Sequence, residues 1–175
     1  MWGSIDEQRL VRILEDPQKL HYKDEWIHVA AGDSRARGSR ARDLLEIFTF
    51  GTVEDVPASI ELSERMLHKL RKLTLLSLTE LYRVIPYSFA LEKCQMSDRS
   101  LMETYFIQLG SVLEFQMDPI SETVTVTNFF DCRDVYDNEA ELRIVRNAHY
   151  TREQLVTGLQ KWKLKLENEI LPSQS

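Results

Sequence analysis

Apolar positions recur along this chain mostly three and four residues apart, and only one stretch switches to strict alternation. Ser4 with Glu7 makes a capping box, and Ile5, Leu10, Ile13 and Leu14 form a stripe that runs to Asp16-Pro17, so a first helix is predicted over 4–15. From residue 30 to 42 the chain turns small, polar and basic, with Gly32, Ser34, Gly38 and Ser39 among arginines, which predicts a flexible loop. Leu44, Leu45, Ile47 and Phe48 predict a short buried helix ending at Phe50-Gly51, the glycine taking a left-handed C-cap. Between Ser63 and Tyr82, the residues Leu67, Leu70, Leu73, Leu76, Leu78 and Leu81 keep helical spacing. Thr74 is placed to cap a second helix inside this stretch, so two helices meeting at Leu73 are predicted. Ile85-Pro86 ends that pair, 87–94 reads as a short helix, and Ser97 caps another that buries Leu101, Met102, Tyr105, Phe106 and Leu109 before Gly110.

The period then changes. Leu113, Phe115 and Met117 alternate with Glu114 and Gln116, Asp118-Pro119-Ile120-Ser121 supplies a turn, and Val124 and Val126 alternate with threonines, which together predict a β-hairpin. Helices followed by a hairpin is the order of a winged helix. After Asp131 helix is expected again, first around Leu142, Ile144 and Val145, then from a capping box at Thr151 and Gln154. Leu155, Leu159, Trp162, Leu166 and Ile170 step by four, three, four and four residues, a narrow seam of the kind that lies along the contact line of a helical bundle, and Pro172 closes it. The fold class that follows is mainly α with a small β-hairpin. It divides into an N-terminal helical part (1–72), a winged-helix part (73–130) and a C-terminal helical tail for bundle assembly (131–175).

The 175 residues, 43% of them apolar, suffice for one compact core or two small ones that share an interface. A net charge of −6 opposes general attraction to nucleic acid or anionic membranes and points toward protein partners. Two cysteines, Cys94 and Cys132, make no disulfide framework, and no signal peptide or membrane-length apolar run is visible, so a soluble intracellular protein is expected. His21, His28, His68 and His149 lie on unrelated segments without metal-ligand spacing, and there is no glycine-rich phosphate loop, so no catalytic residue, metal or cofactor is expected. Asp131-Cys132-Arg133-Asp134 reads as an ion-pairing tie between the hairpin and the C-terminal helix rather than as catalytic machinery. The outward side of the last helix before the hairpin would carry Ser100, Glu103, Thr104 and Ile107, which disfavours DNA reading. Arg35, Arg37, Arg40 and Arg42 form the one basic cluster, and they carry the alternative reading, a winged-helix nucleic-acid binder.

The run from Leu67 to Leu78, followed by Val84-Ile85-Pro86-Tyr87, resembles the signature of PCI-domain subunits found in the proteasome lid, the signalosome and translation initiation factor scaffolds. Its signature positions here are Leu70, Leu73, Leu76, Leu78, Ile85 and Pro86. Within that family the chain is most similar to the subunit-seven type of the COP9 signalosome, through Asp98 to Leu109 and Phe130-Asp131-Cys132-Arg133-Asp134-Val135. Glu15-Asp16-Pro17, His21 to Trp26 and Leu45 to Gly51 resemble its short, divergent budding-yeast branch. The resemblance implies a non-catalytic scaffold subunit, cytoplasmic and nuclear, in a complex that removes a ubiquitin-like modifier from cullins and so regulates cullin-RING ubiquitin ligases. It implies other PCI subunits and a separate metalloprotease subunit as partners, with cullin contacted indirectly. By the same resemblance, the hairpin with Leu113, Phe115, Val124 and Val126 would supply an assembly edge. Leu155, Leu159, Trp162, Leu166 and Ile170 would supply a bundle seam.

Overall fold

The computed structural model describes residues 7–32, 40–146, 148, 152–165 and 167. In chain order its elements are α1 (Glu7–Glu15), α2 (Lys23–Gly32), α3 (Arg40–Phe50), α4 (Glu64–Leu81), β1 (Val84–Pro86), α5 (Tyr87–Lys93), α6 (Arg99–Gln108), β2 (Leu113–Asp118), β3 (Thr123–Phe129) and α7 (Arg152–Lys165). The chain is thus mainly helical with one small antiparallel sheet, as its periodicities predict.

α4 organises the rest. Ser63 caps it by accepting from the Met66 N–H (3.2 Å), and it continues unbroken to Leu81. Two helices meeting at Leu73 are therefore not found. Thr74 does not cap, because its hydroxyl donates to the Leu70 carbonyl (2.9 Å) within the helix and accepts from the Val53 N–H (3.1 Å). A threonine satisfied by the carbonyl four residues back is compatible with a continuous helix. Turning along α4, Met66, Leu70 and Leu73 enter one hydrophobic core while Leu75, Leu76 and Leu78 enter a second. A helix buried on nearly all sides is what two flanking cores require.

The first core lies against α1, α2 and α3. Leu10 and Leu14 of α1 and Leu44, Leu45, Ile47, Phe48 and Phe50 of α3 are buried in it. α2 was not foreseen: its apolar residues run together as Trp26-Ile27 and Val29-Ala30-Ala31 without a clear period. It is anchored by Trp26, whose fully buried ring meets Phe50 edge-on at 5.0 Å and Tyr136 at 6.3 Å, the latter two touching each other at 5.4 Å. The expected 30–42 loop is shortened at both ends, since 30–32 belong to α2 and 40–42 to α3, while 33–39 lie outside the described residues. Gly51 follows α3 without a left-handed φ. It is small for another reason: a Cβ there would sit 2.9 Å from the Ile47 carbonyl oxygen and from Val145 Cγ2, too close for any side chain.

The second core holds α5, α6 and the sheet. Asp98, not Ser97, caps α6, its carboxylate accepting from the Leu101 N–H (3.0 Å). Met102, Tyr105, Phe106 and Leu109 point inward as predicted. The hairpin β2–β3 forms with a bulge between Glu114 and Phe115, and Asp118 closes its turn by accepting from the Ile120 and Ser121 N–H groups. Ile85-Pro86 is more than a helix terminator. Residues 84–86 pair with β3, giving a sheet of order β1-β3-β2 in which Ile85 lies opposite Val124.

Helix is absent around Leu142, Ile144 and Val145. There the chain runs back over α3 as an irregular strap, and the buried carboxylate of Glu46 accepts from the backbone N–H groups of Arg143 (2.8 Å), Ile144 (2.6 Å) and Val145 (2.9 Å). A carboxylate from another element satisfies donors that a helix would have satisfied itself. Ser4 and Thr151, expected to cap helices, lie outside the described residues.

Candidate functional site

The segment leaving β3 is locked to the N-terminal core by a polar clasp. Arg133 is 5% exposed, and its guanidinium donates to the carbonyls of Gly51 (2.6 Å) and Phe48 (2.7 Å) and to the Ser77 hydroxyl (2.8 Å). Its own N–H donates to Glu80 (2.8 Å). The planar fork of arginine is what allows one side chain to take up the C-terminal carbonyls of α3 together with a hydroxyl on α4. Burial pushes the Arg133 pKa down to about 10, with Glu80 and Asp134 opposing that shift, so it stays protonated at neutral pH.

Asp134 completes the clasp on the other side. It accepts from the Tyr22 N–H (2.7 Å) and the Lys23 N–H (3.1 Å), placing a carboxylate at the start of α2, where it complements the helix dipole. His21 is held between Asp134 (Nδ1 to Oδ1, 3.0 Å) and Asp131 (Nε2 to Oδ2, 3.1 Å). The Asp131–Asp134 motif was expected to tie the hairpin to the C-terminal helix. It ties the hairpin to α2, α3 and α4 instead, because its acceptors and donors are helix ends in the N-terminal core.

Desolvation works to lower the His21 pKa, but hydrogen bonds and charge from Asp131 and Asp134 outweigh it, and the result lies above the ordinary histidine value. Burial likewise opposes ionisation of Asp131, yet the Cys132 N–H and His21 hold its carboxyl below the usual range. The stability that His21 contributes is therefore complete below pH 6.5, its ordinary pKa, and is lost as pH rises through the raised folded-state value. Asp131 acts in the opposite sense and contributes until pH falls through its depressed value. Urea unfolding of the protein at pH 6 and pH 8 is expected to show a decline toward alkaline pH that His21→Gln reduces. Equal declines in the two proteins would remove His21 from the account.

The exposed apolar surface is concentrated on α7 and around the sheet. On α7, Leu155 is partly exposed, while Leu159 is 64% and Trp162 61% exposed; Val156 and Leu164 are exposed as well. Leu166 and Ile170 lie outside the described residues. In the hairpin, Leu113, Val124 and Val126 are buried in the chain's own core and the partly buried Phe115 packs on Phe106 at 5.8 Å, so these side chains face inward. What the sheet offers outward is backbone, on the edge strands β1 and β2, flanked by Val84, Phe129 and Phe130. Phe129-Phe130 breaks the hairpin's alternation with two adjacent aromatics, the one sequence signal for this outward apolar surface. Leu70, Leu73, Leu76, Leu78 and Ile85 are core positions, and Pro86 is an exposed residue that starts α5.

Other chemistry-bearing groups are engaged in structure. Cys94 is fully buried at the end of α5, and burial pushes its thiol up to about 12. His68 meets the Tyr105 hydroxyl. Arg40 and Arg42 donate to the carbonyls of Glu61 and Glu141, while Arg35 and Arg37 lie outside the described residues. Among the described residues no cluster of His, Cys, Asp and Glu is arranged to hold a metal, and no helix is long and apolar enough to cross a membrane.

No family model matches the chain. Individual relatives do. It is 40% identical over 167 residues to COP9 signalosome complex subunit 9 of Saccharomyces cerevisiae, an alignment covering 95% of this chain and 99% of that one. The subunit of the same name in Eremothecium gossypii is 30% identical over 93% of this chain and 98% of its own, and that of Kluyveromyces lactis 29% identical over 74% and 79%. With similarity of this level running from end to end of the relative, the chain belongs to the COP9 signalosome complex subunit 9 family.

Proposed function

We propose that this subunit works as a non-catalytic scaffold of the COP9 signalosome, binding neighbouring subunits and so supporting cullin deneddylation and the regulation of SCF and other cullin-RING ubiquitin ligases. The observation that carries this reading is α7, a helix that presents Leu159 and Trp162 to solvent on one face instead of folding them into the chain's own cores. A contiguous apolar seam on an exposed helix is the kind of surface that partner helices bury, and tryptophan is among the residues that dominate such contacts. The non-catalytic part rests on the engagement of Cys94, His21 and Arg133 in packing and clasping.

In this proposal residues 1–72 form the helical part of a PCI-type domain, 73–130 a winged helix and 131–175 the tail that joins a helical bundle. The order α5, α6, β2, β3, with β1 closing the sheet, supports the winged-helix reading. The leucine-rich run of α4 and the Arg-Asp after β3 support the subunit-seven likeness. Contacts with other PCI subunits and with the metalloprotease subunit would then use the α7 seam and the backbone edge of β2, in the cytoplasm and the nucleus. The engagement of Arg40 and Arg42 with backbone carbonyls leaves the nucleic-acid alternative without a favouring observation.

The test is affinity purification of the tagged chain from its native cells, with mass spectrometry and a deneddylation assay on the eluate. Three forms are compared: the full chain, a truncation before Thr151, and Leu159→Asp/Trp162→Asp. The full chain is expected to recover signalosome subunits and deneddylase activity, and both altered forms to lose roughly tenfold or more of each, with Leu159→Asp/Trp162→Asp keeping the wild-type circular dichroism. Equal recovery by all three would place the assembly surface elsewhere. Recovery of no signalosome subunit by the full chain would overturn the scaffold reading.

A further inference from the structure

A cleft of about 450 Å³ opens on the side of α4 at the level where the two cores meet. The α1–α2 connection contributes Pro17 and Gln18 to it, α4 contributes Lys69 and Lys72, and the end of α6 and the turn beyond it contribute Gln108 and Ser111. Apolar surface from Leu20, Leu73 and Val112 completes the lining. Nothing in the assembly surface described above uses this cleft.

Its two lysines are unusual for where they sit. Lys69 is only 3% exposed, and its ammonium donates to a single neutral acceptor, the Pro17 carbonyl (3.0 Å). An ammonium has three donors, so two remain. Among the described residues no carboxylate lies within ion-pair distance of Lys69 or Lys72, and Asp16 attracts Lys69 only from farther away. This occurs in a chain with 28 acidic and 22 basic residues, where carboxylates are in excess. A buried ammonium without a counter-charge is costly, and it is relieved by an anion that can enter.

The lining narrows the choice of anion. The charge alone does not choose, since lysines act as point charges toward carboxylate and phosphate alike and Gln18, Gln108 and Ser111 add only neutral hydrogen-bonding groups; the apolar part of the lining does. Apolar walls favour a ligand with apolar parts on either side of the charge. We propose that the cleft receives a carboxylate side chain carried on an acidic, apolar-flanked segment of a partner protein. Two lysines three residues apart on α4 would share the carboxylate, and the apolar walls would take the flanking side chains.

The site has a proton linkage of its own. Burial and the neighbouring Lys72 lower the Lys69 pKa to about 8, with Asp16 opposing; burial lowers Lys72 too. The α6 side of the cleft brings no titratable group among the residues that line it. A carboxylate binds the protonated ammonium, so affinity should fall as pH rises through 8, well before an ordinary lysine would titrate.

The experiment uses the full chain and four probes followed by NMR of the backbone amides: a capped five-residue peptide alternating leucine and glutamate, its leucine–glutamine counterpart, glutarate, and inorganic phosphate. The glutamate peptide is expected to bind saturably, shifting Gln18, Gln108 and Ser111, and to weaken roughly fivefold between pH 8 and pH 9. Lys72→Gln, on a partly exposed position, is expected to reduce its affinity about tenfold or more without altering the fold; Lys69→Met should do the same. Equal binding of the glutamine peptide, or unchanged binding to Lys72→Gln, would overturn the carboxylate site. Equal or tighter binding of glutarate or phosphate would overturn the assignment to a protein segment. The measurement needs no other subunit, so its failure is distinct from a failure of the scaffold reading.

Discussion

Arg133→Met is expected to lower the stability of this chain by about 3–5 kcal/mol, read as a lower urea midpoint with an unchanged denaturant slope. The methionine fills much of the arginine's volume but donates nothing. It would leave the carbonyls of Phe48 and Gly51 and the hydroxyl of Ser77 without their buried donor. It would also remove the positive charge that partly offsets the burial of Glu80, whose pKa burial already raises despite the Arg133 N–H and guanidinium. Natural domains are stable by only about 5–15 kcal/mol, so the variant should sit near its unfolding threshold at physiological temperature. Arg133→Lys keeps the charge and loses the fork. It should recover less than half of the difference, because one ammonium cannot point at α3 and α4 together. A midpoint shift in Arg133→Met equivalent to less than about 1 kcal/mol would mean that the clasp is incidental to the fold.

The clasp also shows what a single sequence reveals and what it hides. Asp131-Cys132-Arg133-Asp134 stood out because charged residues crowd the exit of a hairpin, but its partners are carbonyls and N–H groups at helix ends, which leave no mark on composition or spacing. α2 was hidden for the same reason. Its starting N–H groups are satisfied by Asp134, more than a hundred residues away, and its hold on the core is one tryptophan rather than a stripe. β1 was hidden because three residues, only one of them inward, give no period at all; pairing with β3 makes them a strand. The helices α1 and α6 and the hairpin were legible, since in each the buried side chains repeat at the element's own period, and α3 was legible as a compact apolar run, buried without a break from Leu44 to Phe50. In α4 the leucine repeat predicts helix but not its continuity, because Thr74 looks like a cap to its neighbours in sequence and acts as an acceptor for Val53 in space. The same limit applies to the candidate assembly surface. The spacing of Leu159 and Trp162 accompanies exposed side chains on α7, whereas Leu113, Val124 and Val126 alternate because they line the chain's own core, and alternation alone does not say which face meets a partner.

Glu46→Ala should release the strap that α3 holds. Glu46 is fully buried, and its carboxylate is the acceptor for three consecutive backbone N–H groups, those of Arg143, Ile144 and Val145. Hydrogen bonds to a charged acceptor are worth more than neutral ones, and stranded buried donors cost more still, so the substitution is expected to cost on the order of 3 kcal/mol. The loss should be local in character. Val145 is buried against Gly51, where the chain has no room for a side chain, so freeing 143–145 uncovers the end of α3 while α5, α6 and the sheet keep their own core. Amide hydrogen exchange is the measurement that separates this from general destabilisation: in Glu46→Ala, protection should collapse at 143–145 and weaken at the C-terminal end of α3, with the β2–β3 amides little changed. Glu46→Gln retains one acceptor oxygen and should fall between the two. If exchange instead rises evenly across both cores, the strap is part of a single cooperative unit. Where protection is lost locally as expected, the strap, which leads from the clasp toward α7, is the first thing to test for release in any variant that keeps its fold but recovers fewer partners.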